Sequence, residues 1–232
     1  MNKISIAIKS CHRYPDRRQA QLATWLPDVE WDYFYLVGNC PPGVAPSVTP
    51  GDRSILECDV SDEFPNIAPK VWCACRYALE SNITNLFLCD DDTYVCWPRL
   101  KAAGCLRRLD YVGWVRPEPV RIDYQGAGQY EQQLWSKRPR TPYIQGSAYW
   151  LSERAMEHVV KATDIMQPGV IDDGAVGLVL VDKVPFTHDW RYEPGPAPNR
   201  RPLKGNNVIT THKCLPAMMQ QVHGDWVRSC NI

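Results

Sequence analysis

Segments that favour strands alternate with segments that favour helices along most of this chain. "KISIAIK" (3–9) alternates apolar and polar side chains as a strand does. "YPDRRQAQLATWL" (14–26) contains helix formers after a proline start, and the aromatic run "WDYFYLVG" (31–38) stops at a glycine. Strands that alternate with helices predict a mainly parallel sheet with helices on both faces, so we expect an α/β fold.

The alternation continues to about residue 181, apart from two polar stretches, 39–52 and 116–142, which predict loops. The further predicted strands are "RSILECDV" (53–60), "NLFLCD" (85–90), "DYVGWV" (110–115) and "YIQGSAYWLS" (143–152). The further predicted helices are "NIAPKVWCACRYALES" (66–81), "WPRLKAAGCLRRL" (97–109), "ERAMEHVVKAT" (153–163) and "VIDDGAVGLVLV" (170–181). No linker divides the chain, so we expect a single domain over 1–232.

Composition excludes several classes of protein. Of the 232 residues 44% are hydrophobic, which argues against disorder, and 26 Lys plus Arg balance 26 Asp plus Glu. This balance argues against a nucleic-acid coat held by net charge, although local basic patches remain open. No segment approaches the roughly 20 apolar residues of a membrane span, and the apolar run at the start is too short for a secretory signal. We therefore expect a soluble, cytoplasmic protein with no membrane partner.

The ten cysteines do not follow a zinc-binding pattern. Eight are single, and the Cys73 and Cys75 pair has neither a matching second pair nor a nearby histidine of the zinc-finger type. We expect mostly buried free thiols, and the sequence leaves open whether any cysteines are disulfide bonded.

Three adjacent carboxylates, Asp90, Asp91 and Asp92, follow the predicted strand 85–90 directly. Like charges repel, so folding alone gives no reason to place them together, although a solvated turn would tolerate them. In a parallel sheet ligands gather at the carboxyl ends of strands, where this turn would lie. Carboxylate oxygens on a short turn suit Mg²⁺ or Mn²⁺, and such an ion could hold a diphosphate.

A second acidic pair, Asp172 and Asp173, opens the predicted helix 170–181. Acids at a helix start interact favourably with its dipole, so capping alone would explain them. Their residue type also suits general acid or base work, and the residues themselves leave both interpretations open.

Six separated segments, in order, resemble the fringe-like and β-1,3-galactosyltransferase-like family of inverting, metal-dependent glycosyltransferases. These segments are "RRQAQLATW" (17–25), "DEFPNIAPK" (62–70), "CDDDTYV" (89–95), "YIQGSAYWLS" (143–152), "DDGAVGLVL" (172–180) and "THKCLPAMMQQVH" (211–223). The resemblance implies a glycosyltransferase-A (Rossmann-like) fold and a UDP-sugar donor used with Mn²⁺ or Mg²⁺. It also implies a nucleotide-sugar half over about 1–115 and an acceptor half over about 116–232.

The resemblance assigns the metal ligands. Asp90 and Asp92 would bind the metal, Asp91 would contact ribose or metal, and His212 would be the distant ligand that closes the site. An imidazole ligand suits Mn²⁺ better than a purely oxygen-ligated Mg²⁺ site. His188 in "PFTHDW" is the weaker rival for the histidine position.

The resemblance also assigns the base and the nucleotide contacts. Asp173 aligns with the family's general base, and Asp172 would tune or position it. Lys70 would offer positive charge to the nucleotide or brace the acids, and Arg18 and Thr24 would lie near the nucleotide pocket.

The familiar eukaryotic members carry a membrane anchor, a stem and paired cysteines, which this sequence does not show, so we expect a compact bacterial or viral (phage) enzyme. Two basic stretches, "SKRPR" (136–140) and "NRRPLKGNN" (199–207), bear on the acceptor. They would be solvated loops, a clamp for the diphosphate, or a groove for a hydroxymethylated DNA base stacked on Trp135 or Trp190.

We favour a carbohydrate acceptor over DNA because the net charge is zero. The alternatives of another kind are a non-catalytic nucleotide- or sugar-binding module and a nucleotidyltransferase. The donor sugar, the linkage and the oligomeric state are not encoded in any pattern that we can interpret.

Overall fold

The computed structural model describes residues 3–40, 42–43, 54–64, 66–105, 110–116, 141–196 and 207–230. Within these ranges no helix combines the length and apolar character that crossing a membrane requires. The basic stretch 136–140, Trp135 and all but the last residue of 199–207 lie outside the described residues.

Strands and helices alternate through the described residues much as the sequence predicts. The strands, β1 to β10 in order, are Ile4–Lys9, Asp32–Asn39, Ile55–Ser61, Asn85–Asp90, Tyr94–Val95, Tyr111–Arg116, Tyr143–Ser152, Phe186–His188, Tyr192–Pro196 and Thr210–His212. The helices, α1 to α6, are Pro15–Leu22, Ile67–Glu80, Trp97–Cys105, Glu153–Lys161, Asp172–Leu180 and Pro216–Cys230. The first helix ends four residues earlier than the sequence pattern indicates, and a 3₁₀ turn, Leu26–Asp28, follows it.

The central sheet is mostly parallel, as predicted. Its seven strands lie in the order β3-β2-β1-β4-β7-β6-β8. Strands β3, β2, β1 and β4 are mutually parallel, and β6 is parallel to β8. Strand β7 runs antiparallel to both of its neighbours, β4 and β6. The sequence predicts β7 correctly as a strand, but the two-residue alternation of side chains is the same for both directions.

The two faces of the sheet carry separate cores. In β4, Leu88 packs with residues of α2, α4 and α5, whereas its neighbour Phe87 points to the opposite face. That face is covered by α1, α3 and α6, and includes the fully buried Trp150. Because both faces are covered, the open end of the sheet, at the carboxyl ends of β1 and β4, is where a ligand can reach the backbone.

A second, three-stranded sheet fixes the late part of the chain against the acidic turn. Strand β10 pairs antiparallel with β5, which follows the acids, and parallel with β9. Thr211 pairs with Tyr94 in this register, so residue 212 comes next to the turn at 90–92.

Candidate active site

The candidate site is a cavity of about 380 Å³ at the carboxyl ends of β1 and β4. The two strands end in register, with Lys9 opposite Asp90, and the Asp91 N–H donates to the Lys9 carbonyl at 3.0 Å. The lining residues are Lys9, Ser10, Cys11, Arg13, Tyr14, Arg17, Asp62, Glu63, Phe64, Ile67, Lys70, Asp90, Asp91, Asp92 and His212. Parallel strand ends therefore bring the predicted acids to the floor of one pocket.

The structure brings together the three predicted metal ligands. Nδ1 of His212 lies 3.1 Å from Oδ1 of Asp92 and 3.7 Å from Oδ2 of Asp90. One ligand atom from each of the three residues fits within 4.8 Å of the others, and this is the only such cluster among the described residues. The three side chains are half-buried, so a cation between them would be shielded from bulk water.

The electrostatics of this group also fit a cation. Oδ1 of Asp92 is buried and has no partner besides the His212 ring among the described residues. Burial would raise the pKa of Asp92, but the hydrogen bond and charge of His212 lower it overall. Burial would lower the pKa of His212, but Asp92 and Asp90 raise it. The site thus gathers negative charge around an imidazole, and a divalent cation would compensate that charge.

Asp91, the middle acid, faces a different set of partners. Its carboxylate accepts hydrogen bonds from Ser10 Oγ at 2.8 Å and from Arg17 Nη1 at 3.0 Å. Burial raises the pKa of Asp91 to about 6, against the opposing effect of Arg17. These contacts anchor the loop after β1, so Asp91 lines the cavity as a brace and is not part of the three-residue cluster.

The two predicted nucleotide contacts, Arg18 on α1 and Thr24 two residues beyond its end, do not line the cavity. Arg18 is buried and donates to Ser10 Oγ at 3.1 Å and to the Cys11 carbonyl at 2.6 Å. Thr24 is buried and donates to the Ala20 carbonyl, one helical turn earlier. The phase of the helix instead directs Arg17 to the cavity wall, where its guanidinium stacks over Tyr14 at 3.9 Å.

Lys70 lines the cavity but is already engaged with the protein. Its ammonium forms an ion pair with Asp62 and donates to the Ser10 carbonyl at 3.0 Å. Asp62 also accepts the backbone N–H groups of His12 and Gly38. These contacts brace Asp62 and the loop after β1, and the two roles predicted for Lys70, at the nucleotide and at the acids, stay predictions.

The acidic pair opens α5, and its two members have different environments. Oδ2 of Asp172 accepts hydrogen bonds from Lys9 Nζ at 2.8 Å and from the Tyr149 hydroxyl at 3.0 Å. Asp173 is half-buried and accepts only backbone N–H groups in the described part of the chain, from Gly174 at 2.7 Å and Gly146 at 3.3 Å.

The different environments separate the two acids chemically. Burial and the neighbouring charge of Asp172 raise the pKa of Asp173 to about 7. A carboxylate with a pKa near neutrality can accept a proton and release it again, whereas Asp172 is held in an ion pair with Lys9. The geometry therefore favours Asp173 over Asp172 as a proton acceptor.

Lys9 is the main functional candidate that the sequence interpretation missed. Only 6% of the residue is exposed, and its Nζ contacts Asp90 at 2.9 Å, Asp172 at 2.8 Å and the Gly146 carbonyl at 2.6 Å. Burial would lower the pKa of Lys9, but the two carboxylates raise it above its ordinary value, so the ammonium stays charged. The sequence did contain a signal for Lys9, because it is the last residue of the first predicted strand and Asp90 is the last residue of another.

The remaining sequence candidates lie elsewhere or outside the site. His188 accepts the Val115 N–H at 3.1 Å and packs edge-on against Trp114, so this ring is engaged away from the acids. Trp190 is 51% exposed. The structure shows no disulfide at the cysteines whose side chains are described, and none of these cysteines belongs to a metal-binding cluster of described residues.

Solved structures share the architecture. Galactosyltransferase LgtC in complex with donor and acceptor sugar analogs matches with a TM-score of 0.51 and 12% identity over 95% of each chain. The fold is that of glycosyltransferase-A enzymes. A glycosyltransferase involved in the glycosylation of the major capsid of PBCV-1 matches with a TM-score of 0.50 and 10% identity, over 94% of this chain and 99% of that chain. No protein-family model and no curated protein matches the chain, so the resemblance to the fringe-like family stays a prediction.

Proposed function

We propose that this chain is a glycosyltransferase that moves a sugar from a nucleotide-diphosphate sugar to an acceptor hydroxyl with the help of a divalent metal. The observation that carries the proposal is the cluster of Asp90, Asp92 and His212 in the cavity, which Lys9 connects to Asp172 of the acidic pair of α5. The shared fold with LgtC, solved with donor and acceptor sugar analogs, supports sugar transfer.

The cavity has the chemistry that a nucleotide diphosphate requires. Its volume of about 380 Å³ falls within the usual range of small-molecule sites. The half-exposed aromatic rings of Tyr14 and Phe64 offer faces for a base, and Arg13 and Arg17 supply positive charge on the wall. We infer a UDP-sugar as the donor from the sequence resemblance, and the same cavity supports that choice.

Asp90, Asp92 and His212 would hold the metal. When bound there, a divalent ion neutralises the charge that develops on the diphosphate as the bond to the sugar breaks. The imidazole among the ligands favours Mn²⁺ over Mg²⁺, since Mg²⁺ prefers oxygen ligands throughout. Arg17, which contacts Asp91 and Asp92, would also lie close to the departing phosphates.

Asp173 would be the general base. In a single displacement the acceptor oxygen gives its proton to Asp173, forms the new bond to the anomeric carbon, and displaces the diphosphate, whose bond to that carbon breaks. One displacement inverts the anomeric configuration, so we propose an inverting enzyme. The support is the raised pKa of Asp173 and the absence of a cation paired with it among the described residues.

We also propose that the chain is a single catalytic domain. The residues that line the donor cavity lie between 9 and 92, apart from His212, whereas Asp173 comes from the second half. This distribution supports a nucleotide-sugar half and an acceptor half, with His212 reaching the donor cavity from the second half. For the acceptor we propose a carbohydrate. A modified DNA base remains the alternative that a salt-sensitive affinity for DNA would reveal, because phosphate contacts release counterions. A cytoplasmic location of the enzyme stays a prediction from the sequence.

A panel of nucleotide sugars tests the proposal. We expect the purified chain to release free UDP slowly from one UDP-sugar when Mn²⁺ is present and no acceptor is added, since water can replace the acceptor. Chelation of the metal should abolish the release, and adding Mn²⁺ should restore it. If the chain binds UDP-sugars but never cleaves them, with or without candidate acceptors, it is a non-catalytic binding module. Release of a sugar 1-phosphate, the group expelled when a nucleophile attacks the phosphorus next to the nucleoside, would indicate a nucleotidyltransferase.

A further inference from the structure

Among the described residues, Lys9 is the one cation that contacts both the metal cluster and the acidic pair of α5. Its ammonium contacts Asp90, a member of the metal cluster, and Asp172, the first acid of α5, at 2.9 and 2.8 Å. Three acceptors within 2.9 Å use all three N–H bonds of the ammonium, because the Gly146 carbonyl is the third. The side chain is therefore fully committed, and no hydrogen remains for a phosphate.

Gly146 completes the bridge from strand β7. Its carbonyl accepts from Lys9 at 2.6 Å, while its N–H donates to Asp173 Oδ2 at 3.3 Å. A Cβ at this position would lie 3.3 Å from both Lys9 Nζ and Asp172 Oδ1, tighter than ordinary packing allows. The absence of a side chain at Gly146 thus lets Lys9, Asp172 and Asp173 approach one strand residue.

The groups around Lys9 give Asp172 and Asp173 different capacities to accept a proton. Asp172 is 2% exposed, and its Oδ2 is shared by Lys9 and the Tyr149 hydroxyl. Giving up that ion pair to accept a proton would leave a buried ammonium with one partner fewer. Asp173 is adjacent, faces Asp172, Lys9 and the Tyr111 phenol, and has no cation directly on its carboxylate in the described residues.

We propose that Lys9 is a positioning residue that ties Asp90 to the acidic pair and, by pairing with Asp172, reserves Asp173 to receive the proton of the acceptor. This role rests on the proposed function, because it assigns a purpose to Asp173. With all three N–H bonds of its ammonium used, Lys9 would donate to neither the donor nor the acceptor. Its effect passes through Asp172 and Gly146, and it fixes the distance between the metal side and the acceptor side.

The test replaces Lys9 with methionine, which is similar in length and carries no charge. Without the ammonium, the buried Asp172 and the half-buried Asp173 are adjacent acids with no cation between them, so proton loss from the pair becomes harder. We expect the pH at which kcat is half-maximal to rise by about one unit or more, which alone lowers kcat at pH 7.5 about threefold. Loss of the tie between Asp90 and α5 should lower kcat about tenfold further. Donor KM should stay within about threefold, because the cavity keeps its other walls.

A matched control and a second variant keep the test decisive. Lys101→Met makes the same change at a lysine that pairs with Glu30 and is 42% exposed, and it should leave kcat and the pH profile unchanged. If Lys9→Met does not fold, Lys9→Met/Asp172→Asn removes the cation together with one of its anions. This double variant should fold and still lose at least about tenfold in kcat, because Asp90 is no longer tied to α5.

A titration that needs no turnover separates this inference from the proposed function. In protein labelled with carbon-13 at the aspartate carboxyl groups, the Asp173 signal is assigned by its loss in Asp173→Asn and followed against pH by NMR. A pKa of Asp173 higher in Lys9→Met than in the unsubstituted chain supports the bridge, even if no donor is ever cleaved. An unchanged pKa, or an unchanged kcat and pH profile in an active enzyme, overturns it.

Discussion

Asp173→Asn is expected to lower turnover by about 10²- to 10⁴-fold while Mn²⁺-dependent binding of UDP stays unchanged. The amide keeps the shape of the side chain but has one oxygen, so it can accept only one of the N–H groups of Gly146 and Gly174, and it cannot take a proton from the acceptor. Release of UDP under saturating donor measures turnover, and calorimetric titration with UDP and Mn²⁺ measures binding.

Asp173→Asn should lower turnover, but as the pH rises it should make the folded protein more stable relative to the unsubstituted chain. The pKa of Asp173 is raised from 3.8 to about 7, so the folded protein holds this proton more tightly than the unfolded chain does. Stability from this group is therefore present at low pH and is lost as the pH rises from about 4 to about 7. The melting temperature of Asp173→Asn relative to the unsubstituted chain should therefore rise between pH 4 and pH 8, because the variant lacks the charge that costs the unsubstituted chain stability at the higher pH.

Asp182→Asn is the matched control for both effects. Asp182 follows the other end of α5, is exposed, and has a positive φ of 63° that asparagine tolerates well. Its substitution should change neither turnover nor the melting temperature at pH 8. Normal turnover in Asp173→Asn would show that another group accepts the proton, and the inverting mechanism would then lose its base.

Asp92→Asn should lower kcat/KM for the donor by at least about 100-fold. The substitution removes one of the two carboxylate charges that face His212, so a divalent cation would be bound more weakly and would neutralise the diphosphate less well. Raising the Mn²⁺ concentration should recover part of the loss, which would be measured as kcat/KM against metal concentration.

Asp28→Asn provides the comparison, because Asp28 is exposed in the 3₁₀ turn and does not line the cavity. Its kinetics should match those of the unsubstituted chain at every metal concentration. A variant Asp92→Asn whose kcat/KM and metal dependence are both normal would remove Asp92 from the metal site.

Local patterns were sufficient to predict most of the fold. Strand β7, Tyr143–Ser152, begins and ends where its sequence pattern does, and α2 differs from its predicted bounds by one residue at each end. The spacing of apolar residues and the residues that begin or end helices and strands act over a few positions. They can therefore be interpreted without the tertiary structure. The direction of β7 depends on which strands lie beside it, and no local pattern encodes that.

The residues of the candidate site that belong to sequence motifs could be predicted. The residues that lie in the site because of tertiary contacts were missed. Asp90, Asp92 and His212 belong to recognisable segments, and the pairing of β10 with β5 brings them together. Lys9 acquires its role from the register of β1 against β4, which places it opposite Asp90. Arg17 lines the cavity in place of Arg18 because the phase of a short helix decides which of two adjacent arginines points into the cavity and which is buried in the protein.

We propose that His212 and the acids at residues 90 and 92 hold one cation beside the leaving diphosphate. Pulsed electron paramagnetic resonance of Mn²⁺ bound with UDP can detect this arrangement, because a coordinating imidazole nitrogen modulates the electron spin echo. We expect nitrogen modulation in the unsubstituted chain and in His188→Gln, and its loss in His212→Gln. Bound Mn²⁺ with no nitrogen modulation, or modulation that persists in His212→Gln, would contradict it.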